Sequence, residues 1–255
     1  MANIFLREGN IDFARRTYDV GFERTNGENA KLAYDWGKFE EAHGDMEEAR
    51  RLYKQASTYK SYWHVPLVAW ANAEYILGNR TEAQILMSDA ASRFDSSIDV
   101  LTSWAKMNLA GSNYALARSV LQRALRLDNT KASVWNTRAL VEYRARDFQR
   151  AKNIIETAFK FVPKHETTSW CILMTTYARI LAKLNAYDEA ERSLEKAITL
   201  NPSNFHSYVI GARNVLVPQK KYEDAIVLLK QALSVSKLKN HEFIRSVLKD
   251  TIKQQ

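Results

Sequence analysis

Apolar residues recur at intervals of three and four along most of the chain, as at Ala49, Leu52, Tyr53 and Ala56, with charged residues between them. That period is helical, so the predicted elements are amphipathic helices rather than strands. A longer period is laid over the first. Trp36, Trp70 and Trp104 stand 34 residues apart, each followed by a small residue: Gly37, Ala71 or Ala105. Thirteen residues beyond each Trp comes an alanine, and that series runs Ala49, Ala83, Ala117, Ala151, Ala190 and Ala225, at spacings of 34, 34, 34, 39 and 35. Seven residues further on, a second small position repeats as Ala56, Ala90, Ala124, Ala158, Ala197 and Ala232. Extended backwards, Gly9 to Tyr18 aligns with Gly44 to Tyr53 at an offset of 35. The unit is therefore a helical hairpin, with alanine where two axes approach closely and an aromatic filling the space beside the contact.

This reading places the first helix of each hairpin at 30–43, 64–77, 98–110, 132–145, 167–184 and 205–217. The second helices fall at 46–58, 80–93, 114–127, 148–161, 187–200 and 222–235. The repeats accordingly cover 30–58, 64–93, 98–127, 132–161, 167–200 and 205–235, with a half repeat at 11–24 and a capping helix at 241–253, all in one array. Gly44 and Gly78 mark turns inside hairpins, while Pro163 and Pro202 lie between them. The interval of 39 predicts one extra turn in the first helix of the fifth hairpin and leaves the register of Trp170 to Lys183 open by four residues. Each hairpin leaves an apolar face for its neighbour to cover, so the expected architecture is a solenoid. Asn3 to Arg7 reads as the tail of a helix whose start is missing, which suggests a segment of a longer protein, whereas the alternation in 241–253 reads as a finished C-terminal end.

These residues resemble the tetratricopeptide repeat. Trp135, Ala139, Tyr143, Ala151, Ala158 and Pro163, and again Tyr208, Ala212, Ala225 and Ala232, match that family's signature. The first three units are more similar to its half-a-TPR variant, through Trp36, Phe39, Glu40, Ala49, Arg50 and Tyr53, then Trp70, Glu74 and Ala83, then Trp104, Ala117 and Arg118. The third departs from the pattern, with Asn108 in place of Glu. The resemblance implies an all-α, right-handed solenoid of about six hairpins acting as a binding scaffold, and fold alone does not supply the partner.

Composition supports this class. In 255 residues, 46% apolar and 26% charged, there are only 8 Gly and 4 Pro, too few for the turns of a sandwich or barrel. The lone Cys171 cannot close an intramolecular disulfide and suits an intracellular protein. No apolar run approaches the ~18 residues of a membrane span, and the first residues lack a signal-peptide pattern. The formal charge of +8 is unevenly placed: residues 1–100 carry 12 Lys+Arg against 16 Asp+Glu, residues 101–255 carry 25 against 13.

No catalytic chemistry is visible. The glycines form no GxGxxG or GxxxxGK[ST] loop, and HExxH and CxxC are absent. The five histidines fall in different repeats, so no catalytic residue, metal, cofactor or small-molecule substrate is expected. Glu40 and Glu74 recur at one repeat position and are read as hydrogen-bonding between successive helices. In the family, side chains at the fifth and ninth positions of each unit point into a concave groove. The resemblance therefore implies a partner-binding face of Tyr34, Lys38, Asn72, Tyr75, Lys106, Asn136, Tyr143, Arg179 and Arg213. The carboxylate clamp of chaperone-docking members is not matched, since no fifth position is Lys. The expected partner is a protein with an acidic segment. The alternative reading is RNA binding or processing through the basic C-terminal two-thirds, whose densest run includes Arg118, Arg123, Arg126, Arg138, Arg144, Arg146 and Arg150.

Overall fold

The computed structural model describes residues 11–237 and 240–254, so the expectation for Asn3 to Arg7 lies outside the described residues. Among the described residues there are fourteen α-helices and no strand: α1 (Ile11–Arg24), α2 (Ala30–His43), α3 (Met46–Tyr59), α4 (His64–Ile76), α5 (Arg80–Arg93), α6 (Ile98–Ala110), α7 (Tyr114–Leu127), α8 (Ala132–Arg144), α9 (Phe148–Phe161), α10 (Thr167–Lys183), α11 (Tyr187–Leu200), α12 (Phe205–Ile210), α13 (Tyr222–Val235) and α14 (His241–Gln254). This is an all-α helical-repeat solenoid. The chain divides into two compact units, Met1–Met107 and Asn108–Gln255, where the sequence reading has one array.

Within the units the repeated alanines have one role. Ala49, Ala56, Ala83 and Ala90 in the first, and Ala117, Ala124, Ala151, Ala158, Ala190, Ala197, Ala225 and Ala232 in the second, are all fully buried. A larger side chain there would hold neighbouring helix axes apart. Four helices, α2, α3, α7 and α9, begin on side-chain caps: Asn29, Asp45, Asn113 and Asp147 each accept the backbone N–H three residues on. At 17 residues, α10 is one turn longer than the 13 of α8.

Hairpin turns pass through the left-handed backbone region. Gly44 and Gly78 adopt φ of 94° and 93°, but Ser112, Arg146, Asn185 and Lys220 occupy the same region at φ of 60–65°. A side chain there meets its own backbone, a conflict that glycine avoids. Replacing Lys220 by Gly is expected to stabilise the protein by about 0.5–1 kcal/mol, the relief of strain exceeding the added entropy of the unfolded chain; a thermal melt checks it, and an unchanged or lower midpoint contradicts it.

The helix expected over 205–217 is not continuous. It is α-helical only to Ile210, then widens into a π turn over Gly211–Leu216 and tightens into a 3-10 turn over Val217–Gln219. The interval from Ala190 to Ala225 is one residue longer than the basic period of 34. The wider turn absorbs that residue, and Pro218, lacking an N–H, helps to end the helix. Both ends thereby keep their anchors: Tyr208 Oη donates to the Pro202 carbonyl (2.9 Å), and Gln219 Nε2 donates to Glu191 (2.6 Å).

Buried carboxylates tie one hairpin to the next. Glu40 of α2, 1% exposed, receives both arms of Arg15 from α1 (2.9 and 2.7 Å) and the indole N–H of Trp36 (2.9 Å). Glu74 of α4 accepts Trp70 Nε1 (2.8 Å) and Asn79 Nδ2 (2.7 Å), with Arg50 at 3.8 Å. In the second unit Glu142 of α8, also 1% exposed, receives both arms of Arg118 from α7 (2.9 and 2.7 Å), with Arg150 at 3.6 Å. Such forked pairs fix orientation as well as charge. From the fourth repeat on, the aromatic near the start of the first helix instead donates to a carbonyl of the preceding turn: Trp135 to Asn129 (2.7 Å) and Trp170 to Pro163 (3.0 Å), like Tyr208 above.

Candidate binding groove

In the first unit, three successive first helices, α2, α4 and α6, present one side to a groove of about 320 Å³. Tyr34, Tyr53, Val65, Val68 and Ala69 give it apolar walls, and Lys38, Glu41, His64, Asn72, Asp99 and Ser103 supply polar groups. Because the helices repeat every 34 residues, the same helical positions recur side by side: Tyr34 beside Val68, Lys38 beside Asn72. The aromatic wall is held from behind. Tyr34 packs on Tyr53 (5.7 Å between ring centroids) and edge-on to Trp63 (5.1 Å), and Tyr53 Oη donates to Glu41. Burial, then the nearby Asp35 and Glu41, push the Tyr34 hydroxyl above its ordinary pKa, so it stays protonated and can donate. The ammonium of Lys38 lies 5.8 Å from the Tyr34 ring. With Glu41 and Asp99 on its rim, the groove is mixed in charge. An apolar or aromatic side chain entering it would bury its body against tyrosine and valine and find donors and acceptors around it.

Of the nine residues expected on the binding face, the structure gathers Tyr34, Lys38 and Asn72 here. Tyr75 lies apart, half-buried, with the Arg80 guanidinium 5.8 Å from its ring, and Lys106 is exposed on α6. In the second unit Asn136 accepts a hydrogen bond from Thr176 (2.6 Å), and two turns further along α8 Tyr143 carries the guanidinium of Arg179 at 5.0 Å from its ring. Arg213 sits in the π turn and lines a depression with Val217, Phe243, Val247 and Asp250. Tyr53 and Glu41, which the sequence reading did not place in the groove, belong to it. Glu41 follows the repeated Glu40, and Tyr53 is the aromatic four residues after Ala49, so their repeat positions were the available signal.

The basic run is not one patch of exposed arginine. Arg118 is bonded to the buried Glu142, and Arg150, itself exposed, approaches the same carboxylate at 3.6 Å, while Arg123, Arg126, Arg144 and Arg146 are exposed. Arg138 is half-buried, and burial, reinforced by Arg150, lowers its pKa. Among the described residues no group of three or more His, Cys, Asp or Glu is placed to hold a metal ion, and no helix is long and apolar enough to cross a membrane. Cys171 is fully buried, with Asn204 Nδ2 donating toward its sulfur (3.2 Å).

The repeated interior and the groove on its first helices meet an independent likeness: the tetratricopeptide-repeat family model matches residues 173–204. Residues 173–204, from α10 through α11, thus match one tetratricopeptide repeat. The chain is similar along its length to a tetratricopeptide repeat protein from Parabacteroides merdae, with 19% identity, 98% of this chain and 96% of that one covered, and a TM-score of 0.72. It is also similar to a chain of the APC/C hetero-tetramer Cut9–Hcn1, with 20% identity, a TM-score of 0.62, and 98% of this chain against 48% of that one. At such identities the likeness is one of fold. In sequence it is 25% identical over 216 residues to the pre-mRNA-splicing factor CLF1 of Pyricularia oryzae, a match covering 80% of this chain. The matched stretch spans about a quarter (26%) of that relative's length. Of the residues that carry the half-a-TPR resemblance, Trp36 bonds Glu40, and Trp70 and Arg50 both meet Glu74.

Proposed function

We propose that this tetratricopeptide-repeat chain is a non-catalytic scaffold, working inside the cell within a multiprotein complex, and that its first unit seats a segment of a partner protein. The observation that carries the reading is the groove of Tyr34, Lys38 and Asn72, a preformed concavity with tyrosine walls and unspent polar groups at its edge. Such a surface binds without the cost of ordering itself, and a few central contacts supply most of the affinity. The company of fold relatives in assemblies, such as the Cut9–Hcn1 hetero-tetramer, supports a scaffold role.

The test is recovery of partners from extract by the purified chain, with and without ribonuclease, followed by affinity measurement on the recovered protein. Replacing Tyr34 and Asn72 by Ala is expected to weaken that interaction at least tenfold, about 1.4 kcal/mol or more, with helical content unchanged. Undiminished affinity would place the contact elsewhere.

A second reading, participation in RNA processing through the basic C-terminal two-thirds, is favoured by one observation, the match to a pre-mRNA-splicing factor. It predicts RNA retained through washing and an affinity that falls log-linearly and steeply with salt. A groove contact with a protein segment depends on salt much less.

A further inference from the structure

We propose that Arg179, with Tyr143 and Arg144, forms a seat for a side-chain carboxylate of an acidic protein segment, on the face that α8 and α10 share in the second unit. This site rests on the scaffold reading and adds to it the chemistry of a second contact.

The case begins with what Arg179 lacks. Its Nε is buried and has no hydrogen-bond partner among the described residues. Several other arginines show the contrast: Arg15 grips Glu40, Arg118 grips Glu142, Arg51 grips Glu48, and Arg93 bonds Asp89 and the Ser61 carbonyl. A guanidinium carries five donors in a planar fork and stays protonated in proteins, so burying its Nε–H without an acceptor, in a residue that is only half-buried as a whole, calls for a reason. Here the fork has only the face of Tyr143, with Cζ 5.0 Å from the ring centroid. That contact orients the plane but accepts none of its N–H groups. Burial lowers its pKa, Tyr143 opposing and Arg144 reinforcing the effect, and no carboxylate is among the groups acting on it. A second basic group beside an unspent fork makes a local positive field that an anion would complete.

One turn back along α10, Thr176 Oγ1 donates to the side-chain carbonyl of Asn136 (2.6 Å), which leaves the amide nitrogen as a neutral donor. Asn136 and Tyr143 stand two turns apart on α8 and meet Thr176 and Arg179 of α10 in turn, so amide, ring and cation belong to one helix pair. A forked guanidinium matches a carboxylate with two parallel bonds.

Two features favour a carboxylate over the phosphodiester backbone of RNA. Tyr143 is already engaged, by Arg179 on its face and by Phe148 edge-on at 5.4 Å, so it offers poor stacking to a base. Moreover Arg118, which would extend a row of phosphate contacts, is held by both arms on Glu142.

The experiment uses the full chain, nitrogen-15 labelled, titrated with acetyl-octaglutamate amide and, in parallel, with acetyl-octaglutamine amide and octauridylate RNA. The Arg179 Nε–Hε resonance, identified by its loss in Arg179→Lys, is expected to move with octaglutamate and not with octaglutamine. Arg179→Gln should weaken octaglutamate binding at least tenfold, while Arg126→Gln, a change at an exposed arginine, should leave it unaltered. A purely structural residue would behave differently in one further respect. Since the Nε–H of Arg179 is buried without an acceptor, Arg179→Met should raise the thermal midpoint, and saturating octaglutamate should raise that of the wild type only.

An unmoved resonance at millimolar octaglutamate overturns the proposal, as does an Arg179→Met variant that melts lower yet binds equally well. Octauridylate shifting the resonance where octaglutamate does not would make the site a phosphate contact and overturn it too. If Arg179→Gln leaves capture of the cellular partner intact while the Tyr34 and Asn72 substitutions abolish it, this site is refuted and the scaffold reading stands. If neither affects capture, the scaffold reading itself has failed.

Discussion

Replacing Arg15 by Ala is expected to destabilise the first unit by about 2–3 kcal/mol at neutral pH, with a deficit that shrinks on acidification. Glu40 is 1% exposed and depends on the forked pair with Arg15, at 2.9 and 2.7 Å, for most of its hydrogen bonding. Removing one partner of a buried pair costs about 3–5 kcal/mol, because the other charge is left behind. Arg15 is itself 41% exposed, so water would enter and reduce the loss. The pH dependence follows from the carboxyl. Burial raises its pKa, but hydrogen bonds from Arg15 and Trp36 outweigh burial and hold it below the ordinary 4.5. A group whose folded pKa is depressed contributes stability that is complete above the unfolded value and is lost as pH falls through the folded one. Without Arg15, burial is opposed by little more than the Trp36 N–H, and the carboxyl rises. The difference between wild type and variant should therefore be largest near pH 7 and should narrow below about 4.5, which urea unfolding at several pH values measures. A deficit independent of pH would assign the effect to lost packing by the arginine stem.

The second large effect is expected at Gly37, where α2 and α3 touch. A Cβ there would lie 2.7 and 2.8 Å from Tyr53 ring carbons and 3.3 Å from the Ala49 carbonyl oxygen. The ring has nowhere to go: Tyr53 is 1% exposed, packs on Tyr34, and is anchored by its hydroxyl to Glu41. In Gly37→Ala the helix gains about 0.5–1 kcal/mol of propensity against an overpacking cost of about 1–3 kcal/mol, so the net loss is modest. Gly37→Val adds a branched side chain at the same point and should cost about 3 kcal/mol. Since Tyr53 walls the groove, both changes should also weaken whatever binds there. Thermal melts of the two variants check the order, and equal midpoints with wild type would mean that the ring yields.

The helices were readable because each rests on two signals at once, a local period of three to four and a long period of 34. Ala83 and Ala117 are buried for the reason their spacing implies, and the 39-residue interval appears as the extra turn of α10. The π turn was not readable. A spacing of 35 records an added residue but not where the helix takes it up, which depends on keeping Tyr208 on Pro202 and Gln219 on Glu191. The site was only partly legible for a related reason. Position in the repeat tells which way a side chain faces, and so placed Tyr34, Lys38 and Asn72 together. It does not tell what a long side chain will grip. Arg118 looks like free charge in the sequence, yet it turns to Glu142 with both arms, whereas Arg179, similar in type, finds no carboxylate.

The ties between hairpins also bear on how such a chain changes length. Arg15, Arg50 and Arg118 occupy one position of the repeat, and Glu40, Glu74 and Glu142 another, so each fastener has the same two halves. Excision or duplication of one whole period between Arg15 and Glu74 would still bring an arginine to a glutamate. Gln84 and Asn108 stand at the corresponding positions with neutral amides. A crossover there would mate a charged half with an uncharged one and strand a buried ion. The early repeats are thus interchangeable parts, and the amide positions mark where that interchangeability stops.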